Sequence, residues 1–202
     1  MSRLDVGGYE TLTDWMRVQA AVITTPAARW LTHLGIHPNT MTLLGFGLTA
    51  AVAVVLARGR LQLGGLLLAL TSSLDAFDGA VARFSGKKSD FGAFLDSTLD
   101  RLSEGALLCG LLVWAVGEGA PLPIYLLFAA LLGSVMVSYT RARAEGVGLT
   151  CKVGFFTRVE RVLLLSAGLM LGWTLPTLWV LAVLTWVTVI QRILHVYRQS
   201  LR

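Results

Sequence analysis

Long apolar stretches that contain no Asp, Glu, Lys or Arg dominate the pattern of this chain. The last stretch is interrupted by Gly172 and Pro176, which predicts two helices there rather than one. A bilayer offers the backbone no hydrogen-bond partner, so apolar stretches of this kind predict membrane-spanning α-helices. The pattern therefore indicates one all-α integral membrane domain with six transmembrane helices. The uncharged stretches are 30–57, 61–74, 105–117, 119–140 and 162–191.

The predicted helices are preceded by a segment of different character. Residues 9–33 alternate apolar and charged positions, which favours an amphipathic helix in the lipid headgroup region. A solvated helix packed on the bundle has the same pattern. We therefore expect a juxtamembrane segment at 1–36 and the six-helix domain at 37–202. The expected spans are 39–57, 61–84, 91–117, 121–143, 157–173 and 176–199.

The composition agrees with a membrane protein and excludes several other classes. Of the 202 residues, 55% are hydrophobic and 14% are charged, with a mean hydropathy of +0.69, whereas soluble domains carry about a quarter charged residues. Two cysteines are too few for a disulfide scaffold or a zinc site. The net charge of +5 is scattered between apolar stretches and forms no basic stripe, so we expect no nucleic-acid partner.

The basic residues are distributed unequally between the two predicted sides of the membrane. Of the seventeen Lys and Arg residues, only Arg58 and Arg60 lie on the side of the first predicted turn. The other fifteen lie on the opposite side, and cytoplasmic loops are enriched in such residues. We therefore expect both termini to be cytoplasmic.

Acidic residues are concentrated where the second and third predicted spans are polar. Asp75 and Asp78 are three residues apart, so they share one helix face. Asp96 and Asp100 are four residues apart and share a face for the same reason. Ionisable residues in membrane helices are rare unless they serve a function, and four carboxylates need positive charge nearby. Oxygen ligands of this kind favour Mg²⁺ or Mn²⁺, and four carboxylates suffice for two ions.

Small residues accompany the first aspartate pair. Gly79 follows Asp78 directly, and Ala82 and Arg83 lie one turn further on. Small side chains let a flat ligand approach the backbone closely, and an adjacent arginine suits a nucleotide diphosphate. Close packing of two helices through Gly79 and Ala82 is the alternative explanation.

These positions resemble the signature of the CDP-alcohol phosphotransferase family, D-x2-D-G-x2-A-R-x8-G-x3-D-x3-D, without a departure. The resemblance implies a six-helix membrane enzyme whose aspartates bind two divalent metal ions. In that family the metal ions hold the diphosphate of a CDP-linked lipid or alcohol. The resemblance also implies that Asp100 is the general base. The matching residues are Asp75, Asp78, Gly79, Ala82, Arg83, Gly92, Asp96 and Asp100.

The same resemblance implies which residues contact the CDP-lipid and the metal ions. Asn39 and Thr42 belong to P-N-T-M-T, which is similar to a Pro-Asn-x-x-Thr/Ser element that lies near the nucleotide in the family. Ser89 matches a further position near the cytidine or the phosphates. The expected CDP-lipid contacts are Asn39, Thr42, Asp75, Gly79, Ala82, Arg83 and Ser89. The expected metal ligands are Asp75, Asp78, Asp96 and Asp100.

Arginines near the ends of the last three predicted spans suggest a site for a phosphorylated acceptor. Arg141 and Arg161 lie in or beside apolar runs, where an unpaired cation is costly, and Arg192 lies near the end of the last span. A phosphate on the acceptor would supply the missing anion. The alternative is that these arginines mark the cytoplasmic side or bind lipid headgroups. We assign that simpler role to Lys152, Arg158, Arg198 and Arg202.

Two stretches resemble bacterial phosphatidylinositol phosphate synthases and the related archaeal enzymes. They are A-R-A-E-G-V-G at 142–148 and C-K-V-G at 151–154, the second followed by E-R at 160–161. The resemblance implies that a phosphatidyl group passes from CDP-diacylglycerol, or an ether analogue, to inositol phosphate with release of CMP. It also matches Arg141, Arg161 and Arg192 to the residues that hold the acceptor phosphate. Glycerol phosphate is the alternative acceptor.

The family resemblance carries expectations about assembly and location as well. We expect a homodimer in a prokaryotic cell membrane, with the active site on the cytoplasmic side. An ion-coupled transporter would instead place its carboxylates near the membrane midplane and show repeat symmetry. The aspartates here lie off-centre and no repeat is visible. A catalytically inactive lipid-binding relative would not need the complete set of acidic residues, so we favour the enzyme.

Overall fold

The computed structural model describes residues 38–84 and 89–201, with side chains at 39–73 and 89–201. Every regular element in these ranges is an α-helix, which confirms the all-α prediction. The predicted juxtamembrane helix at 9–33 lies outside the described residues. The helices are α1 Pro38–Ala57, α2 Leu61–Phe84, α3 Asp90–Gly117, α4 Pro121–Gly146, α5 Arg158–Met170 and α6 Thr174–Ser200.

The helices lie close to the predicted positions, and α5 is the one that differs most. Gly172 adopts a φ of +73°, which ends the apolar stretch and separates α5 from α6 as predicted. However, α5 has only thirteen residues, because it begins at Arg158 and ends at Met170. A helix of that length is about 20 Å long, shorter than the hydrocarbon core of about 30 Å.

Three of the six described helices are long and apolar enough to cross a membrane. Leu61–Ser73 is a shorter apolar part of α2. The crossing of all six helices and the side on which the termini lie therefore stay predictions. The three helices that qualify span Asn39–Ala57, Pro121–Gly146 and Thr174–Ser200.

Helices α1 and α3 run in the same direction and contact each other near both ends. A Cβ on Gly92, near the start of α3, would lie 3.2 Å from Oδ1 of Asn39, near the start of α1. Towards the other end, a Cβ on Gly110 would overlap the carbonyl oxygen of Ala53. The small residue at Gly110 therefore lets the two backbones approach closely, as is common between membrane helices.

Helix α5 is antiparallel to both α2 and α6. Gly65, near the start of α2, packs against Leu169, near the end of α5. Gly168, also near the end of α5, packs against Thr177, near the start of α6. Gly168 and Thr177 are only nine residues apart in the sequence, because the tight connection at Gly172 joins α5 directly to α6.

Helices α4 and α6 are parallel. Gly133 of α4 packs against Thr185 of α6. One turn further along α4 and two turns further along α6, Arg192 donates a hydrogen bond to the carbonyl of Val137. Consequently α1, α3 and α5 begin, and α2, α4 and α6 end, at one end of the bundle. We call this end the polar end. The backbone of α2 carries positions 75–83 towards it.

The core of the bundle is made mainly of leucines from several helices, whereas large apolar side chains also cover its outside. Val54, Val113, Phe128 and Val187 are examples of exposed apolar residues on four different helices. A soluble protein rarely exposes contiguous apolar surface of this extent, while lipid tails accept it without cost. The buried leucines include Leu56, Leu68, Leu108, Leu111, Leu127, Leu169, Leu178 and Leu181.

Candidate active site

One face of α3 carries three acidic residues at increasing depth. Asp96, Asp100 and Glu104 follow each other at intervals of four residues, so they lie on the same side of the helix. Asp96 is exposed, the side chain of Asp100 is 25% exposed, and Glu104 is buried. This face therefore leads from solvent at the polar end into the interior of the bundle.

Two arginines contact the carboxylate of Asp100, the predicted general base. Nη1 of Arg158 lies 2.7 Å from Oδ1, and Nη1 of Arg101 lies 3.7 Å from Oδ2. Arg158 is the first residue of α5, so its contact joins α5 to α3. The sequence suggested only a topological role for Arg158, whereas the structure places it directly on the predicted base.

A capping box determines where α5 begins. The backbone N–H of Thr157 donates a hydrogen bond to Oε2 of Glu160 at 2.8 Å, and the Thr157 hydroxyl donates to the same oxygen at 2.5 Å. The Glu160 carboxylate thereby satisfies a backbone N–H at the start of the helix, where no intrahelical partner exists. Because the helix starts here, Arg158 and Arg161 are one turn apart and both reach α3.

Arg161 and Glu104 form a buried ion pair with two parallel hydrogen bonds. Nε of Arg161 donates to Oε1 of Glu104 at 2.5 Å, and Nη2 donates to Oε2 at 2.8 Å. Ser134 of α4 donates a further hydrogen bond to Oε1 at 2.9 Å. Nη1 of Arg161 donates to the carbonyl oxygen of Phe156 at 3.2 Å. This network connects α3, α4, α5 and the segment before α5.

Arg192, another predicted acceptor residue, is buried and donates to two backbone carbonyls. Its Nε donates to Val153 at 2.9 Å, and its Nη1 donates to Val137. Val153 belongs to the connection between α4 and α5, so Arg192 holds this connection against α6. Gln199 also holds it, through a hydrogen bond of 2.9 Å to the carbonyl oxygen of Thr150.

The three predicted acceptor arginines come together in space. Arg141 is exposed on α4, and its Nε donates to Oε1 of Glu145 at 2.9 Å. Arg192 donates to the carbonyl of Val137, which lies one turn before Arg141 on α4. It also donates to Val153 in the connection before α5, and Phe156 of the same connection accepts a hydrogen bond from Arg161. Three helices therefore contribute a guanidinium group to one region at the polar end.

Two of the predicted nucleotide contacts also lie close together. Ser89 caps α3, because its hydroxyl oxygen accepts a hydrogen bond of 3.0 Å from the backbone N–H of Gly92. A Cβ on Gly92 would lie 3.1 Å from the Ser89 hydroxyl and 3.2 Å from the Asn39 side chain. The glycine of the signature thus leaves space between Asn39 and Ser89. Thr42 follows one turn after Asn39 on α1 and is half-buried.

The remaining predicted residues belong to α2, and their side chains lie outside the described ones. Their backbone is helical and ends at the polar end. Among the described side chains, no group of three or more His, Cys, Asp or Glu residues is arranged to hold a metal ion. Of the four expected metal ligands, the structure describes the side chains of Asp96 and Asp100. The residues concerned on α2 are Asp75, Asp78, Gly79, Ala82 and Arg83.

The site predicted from the sequence lacks Glu104 and Ser134, and it lacks Arg158, which contacts Asp100. The spacing of Asp96, Asp100 and Glu104 could have identified Glu104 as a third acid on one face. The spacing of Arg158 and Arg161, one turn apart, could have suggested two partners on a neighbouring helix. No sequence signal distinguishes Ser134 from other serines in apolar helices.

Comparisons with known proteins give the chain a family. The family described as CDP-alcohol phosphatidyltransferase matches residues 35–194. The archaetidylinositol phosphate synthase of Pyrococcus horikoshii is 39% identical over 164 residues, which cover 81% of this chain and 85% of that protein.

Solved structures of the Mycobacterium tuberculosis phosphatidylinositol phosphate synthase have the same fold. The structure with CDP-DAG bound has a TM-score of 0.81 at 36% identity and covers 88% of this chain and 94% of that one. The complex with manganese and citrate has a TM-score of 0.80 at 35% identity and covers 86% of this chain and 88% of that one. These matches displace the transporter alternative, and the chain belongs to the CDP-alcohol phosphatidyltransferase family.

Proposed function

We propose that this protein transfers a phosphatidyl group from CDP-diacylglycerol, or its ether analogue, to inositol phosphate and releases CMP. The placement of Arg141, Arg161 and Arg192 around the connection between α4 and α5, with Arg161 bonded to the acidic face of α3, is the observation that carries the acceptor assignment. Several positive groups at one place suit an acceptor that carries a phosphate. The names of the relatives, archaetidylinositol and phosphatidylinositol phosphate synthases, support the same acceptor.

In this reaction the acceptor hydroxyl attacks the phosphorus next to the lipid. A bond forms between the acceptor oxygen and that phosphorus, and the bond from phosphorus to the CMP oxygen breaks. Asp100 takes the proton of the attacking hydroxyl, a role for which its partly exposed carboxylate is accessible. Arg158 and Arg101 lie on the same carboxylate and compensate its charge before substrate binds.

The carboxylate set fits a hard divalent cation. Asp96 and Asp100 share the α3 face that opens towards the polar end, and α2 carries Asp75 and Asp78 towards that end. We assign these four residues to Mg²⁺ or Mn²⁺, with two ions as the proposed number, in line with the manganese complex of the mycobacterial enzyme. Bound cations of this kind neutralise a diphosphate and stabilise the charge that develops on the leaving oxygen.

Residues at the starts of α1 and α3 are proposed to bind the CDP part of the lipid. The Ser89 hydroxyl and Oδ1 of Asn39 lie 3.1 Å and 3.2 Å from the position that a Cβ on Gly92 would take, so the glycine leaves space beside both groups. Thr42 lies one turn along α1 from Asn39. The residues proposed on α2 for the same ligand are Asp75, Gly79, Ala82 and Arg83.

The apolar helices and the family make this an integral membrane protein. We further propose that all six helices cross a prokaryotic cell membrane and that the polar end faces the cytoplasm. The excess of basic residues on that side supports this orientation. A homodimer is the proposed assembly.

Purified protein in detergent tests the proposal. CDP-diacylglycerol and Mg²⁺ are supplied with inositol phosphate, glycerol phosphate, serine or free inositol, and CMP release is measured. We expect the highest kcat/KM with inositol phosphate and no CMP release after removal of divalent metal with EDTA. Preferred use of glycerol phosphate would replace the acceptor assignment with phosphatidylglycerol phosphate synthesis. Preferred use of free inositol would remove the reason for a phosphate pocket.

A further inference from the structure

Glu104 is the one acidic side chain that is buried among the described residues. It lies on α3, one turn beyond Asp100 and therefore further from the polar end. A buried carboxylate is costly unless it is paired and hydrogen-bonded. Both oxygens of Glu104 accept hydrogen bonds from Arg161, and Ser134 donates a third. Such complete satisfaction suggests that the geometry of the pair is held firmly.

The pair determines which part of the Arg161 guanidinium remains available. Arginine has five N–H groups, and three of those in Arg161 donate to Glu104 and to the Phe156 carbonyl. Glu104 occupies the edge formed by Nε and Nη2. One N–H on Nη1 and one on Nη2 have no partner among the described residues. These two groups are the ones that Arg161 can offer to a phosphate.

Ser134 fixes the carboxylate from a third helix. Its hydroxyl donates to Oε1 of Glu104 at 2.9 Å and is itself buried on α4. Glu104 is thus held from α4 and α5 at once, while its own helix carries Asp100 one turn away. The distance from the proposed base to the Arg161 guanidinium is consequently set through α3.

We propose that Glu104, supported by Ser134, is a positioning residue for the acceptor phosphate. It fixes one edge of the Arg161 guanidinium and so directs the two remaining N–H groups towards the acceptor. The inference rests on the proposed function, because it requires that Arg161 binds the acceptor phosphate. Glu104 itself touches neither substrate.

Steady-state kinetics with inositol phosphate as the varied substrate test this role. We expect Glu104→Gln to raise the acceptor KM about tenfold, since the amide nitrogen cannot accept one of the two hydrogen bonds from Arg161 and the other bond loses its charge assistance. Ser134→Ala should raise it about two- to threefold, because one neutral donor is lost and the ion pair stays. The KM for CDP-diacylglycerol should stay unchanged in both variants.

A matched control separates this role from a general effect of a lost buried hydroxyl. Ser166 of α5 is also buried, but it donates to the carbonyl of Leu163 in its own helix. Ser166→Ala should leave the acceptor KM unchanged. An equal rise of the acceptor KM in Ser166→Ala and Ser134→Ala would overturn the inference. Ser134→Ala keeps both charges of the pair, so it tests the role even where Glu104→Gln fails to fold.

A double-mutant cycle distinguishes failure of the inference from failure of the proposed function. If Glu104 acts through Arg161, the double variant Glu104→Gln, Arg161→Ala should show the same acceptor KM as Arg161→Ala alone. Additive effects, or a normal acceptor KM in Glu104→Gln and Ser134→Ala, would overturn the positioning role only. A normal acceptor KM in Arg161→Ala would overturn the acceptor pocket itself, and the positioning role with it.

Discussion

Two ion pairs join α3 to α5, and they differ in almost every property except their helices. Nη1 of Arg158 lies 2.7 Å from Oδ1 of Asp100, and the side chains of Asp100 and Arg158 are 25% and 30% exposed. Glu104 and Arg161, one turn deeper, meet through two hydrogen bonds, and the Arg161 side chain is only 3% exposed. The partly exposed pair involves the proposed base, and the buried pair involves a proposed ligand of the acceptor.

The difference in burial has opposite consequences for stability and for function. Water reaches the outer pair and screens it in part, so its formation adds less free energy than that of the inner pair and its partners can exchange for others. The inner pair has lost its water, so removal of one partner leaves a buried charge without compensation. We infer that the outer pair suits a carboxylate that must change partners during a reaction. The inner pair suits a group that must stay in one place.

The largest expected effect follows from the loss of the outer carboxylate. Asp100→Asn should lower kcat about a thousandfold or more, because an amide cannot take the proton of the acceptor hydroxyl. Binding of the CDP-lipid, measured by calorimetry in detergent, should persist. Asp90→Asn, at the exposed first residue of α3, is the matched control and should keep its activity. Turnover of Asp100→Asn close to that control would refute the assignment of the base.

The next effect concerns stability and compares the two pairs directly. Arg161→Ala should lower the free energy of unfolding by about 3–5 kcal/mol, since Glu104 then remains buried and charged. Arg158→Ala should cost about 1 kcal/mol or less, because its partner stays accessible to water. Denaturant unfolding of the purified variants in detergent measures the loss of unfolding free energy in each of them. Equal destabilisation by the two variants would remove the distinction between a fixed and an exchangeable pair.

A smaller effect should appear in the metal dependence. The Arg158 guanidinium competes with a cation for Asp100, so Arg158→Gln should lower the Mg²⁺ concentration for half-maximal activity about fivefold, equivalent to about 1 kcal/mol. A Mg²⁺ titration of CMP release checks this expectation. Arg143→Gln removes an equal charge from an exposed position of α4 and should leave the titration unchanged. An unchanged or raised Mg²⁺ requirement in Arg158→Gln would contradict the competition.

The smallest effect is expected for the exposed member of the acceptor arginines. Arg141→Ala should raise the KM for inositol phosphate about two- to threefold, since this side chain is solvated and already bonded to Glu145. Its neighbour Arg143, replaced by Ala, provides the baseline. The difference in the KM for inositol phosphate between the Arg141→Ala and Arg143→Ala variants should become smaller as the salt concentration rises. A tenfold rise of the KM for inositol phosphate in Arg141→Ala would contradict this expectation and would indicate that the phosphate binds closer to α4.

Much of the fold could be predicted because its signals are local. The uncharged stretches and Gly172 placed six helices within a few residues of their observed ends, apart from the shorter α5. The end of α5 at Met170 was harder to predict, because apolar residues continue past it and only the turn at Gly172 stops the helix. The signature residues likewise form a pattern along the chain, which is why the family was visible in the sequence.

The partners of the charged residues could not be predicted in this way. Arg158 and Arg161 lie one turn apart on α5, and nothing in their spacing says which carboxylate each of them meets. Glu104 is 57 residues from Arg161, and Ser134 is 30 residues from Glu104. Periodicity reports the face of a helix on which a side chain lies, but not the helix that packs against that face.

The sequence by itself determined the apolar helices, the shared face of Asp96 and Asp100 on α3 and the residues that match the family signature. Tertiary structure alone decided that Arg158 meets Asp100, that Arg161 is buried on Glu104 and that Arg192 holds the connection before α5. The physical reason is that hydrophobicity acts on each segment separately. An ion pair, by contrast, requires two segments at hydrogen-bonding distance, and its strength depends on how much water their packing has removed.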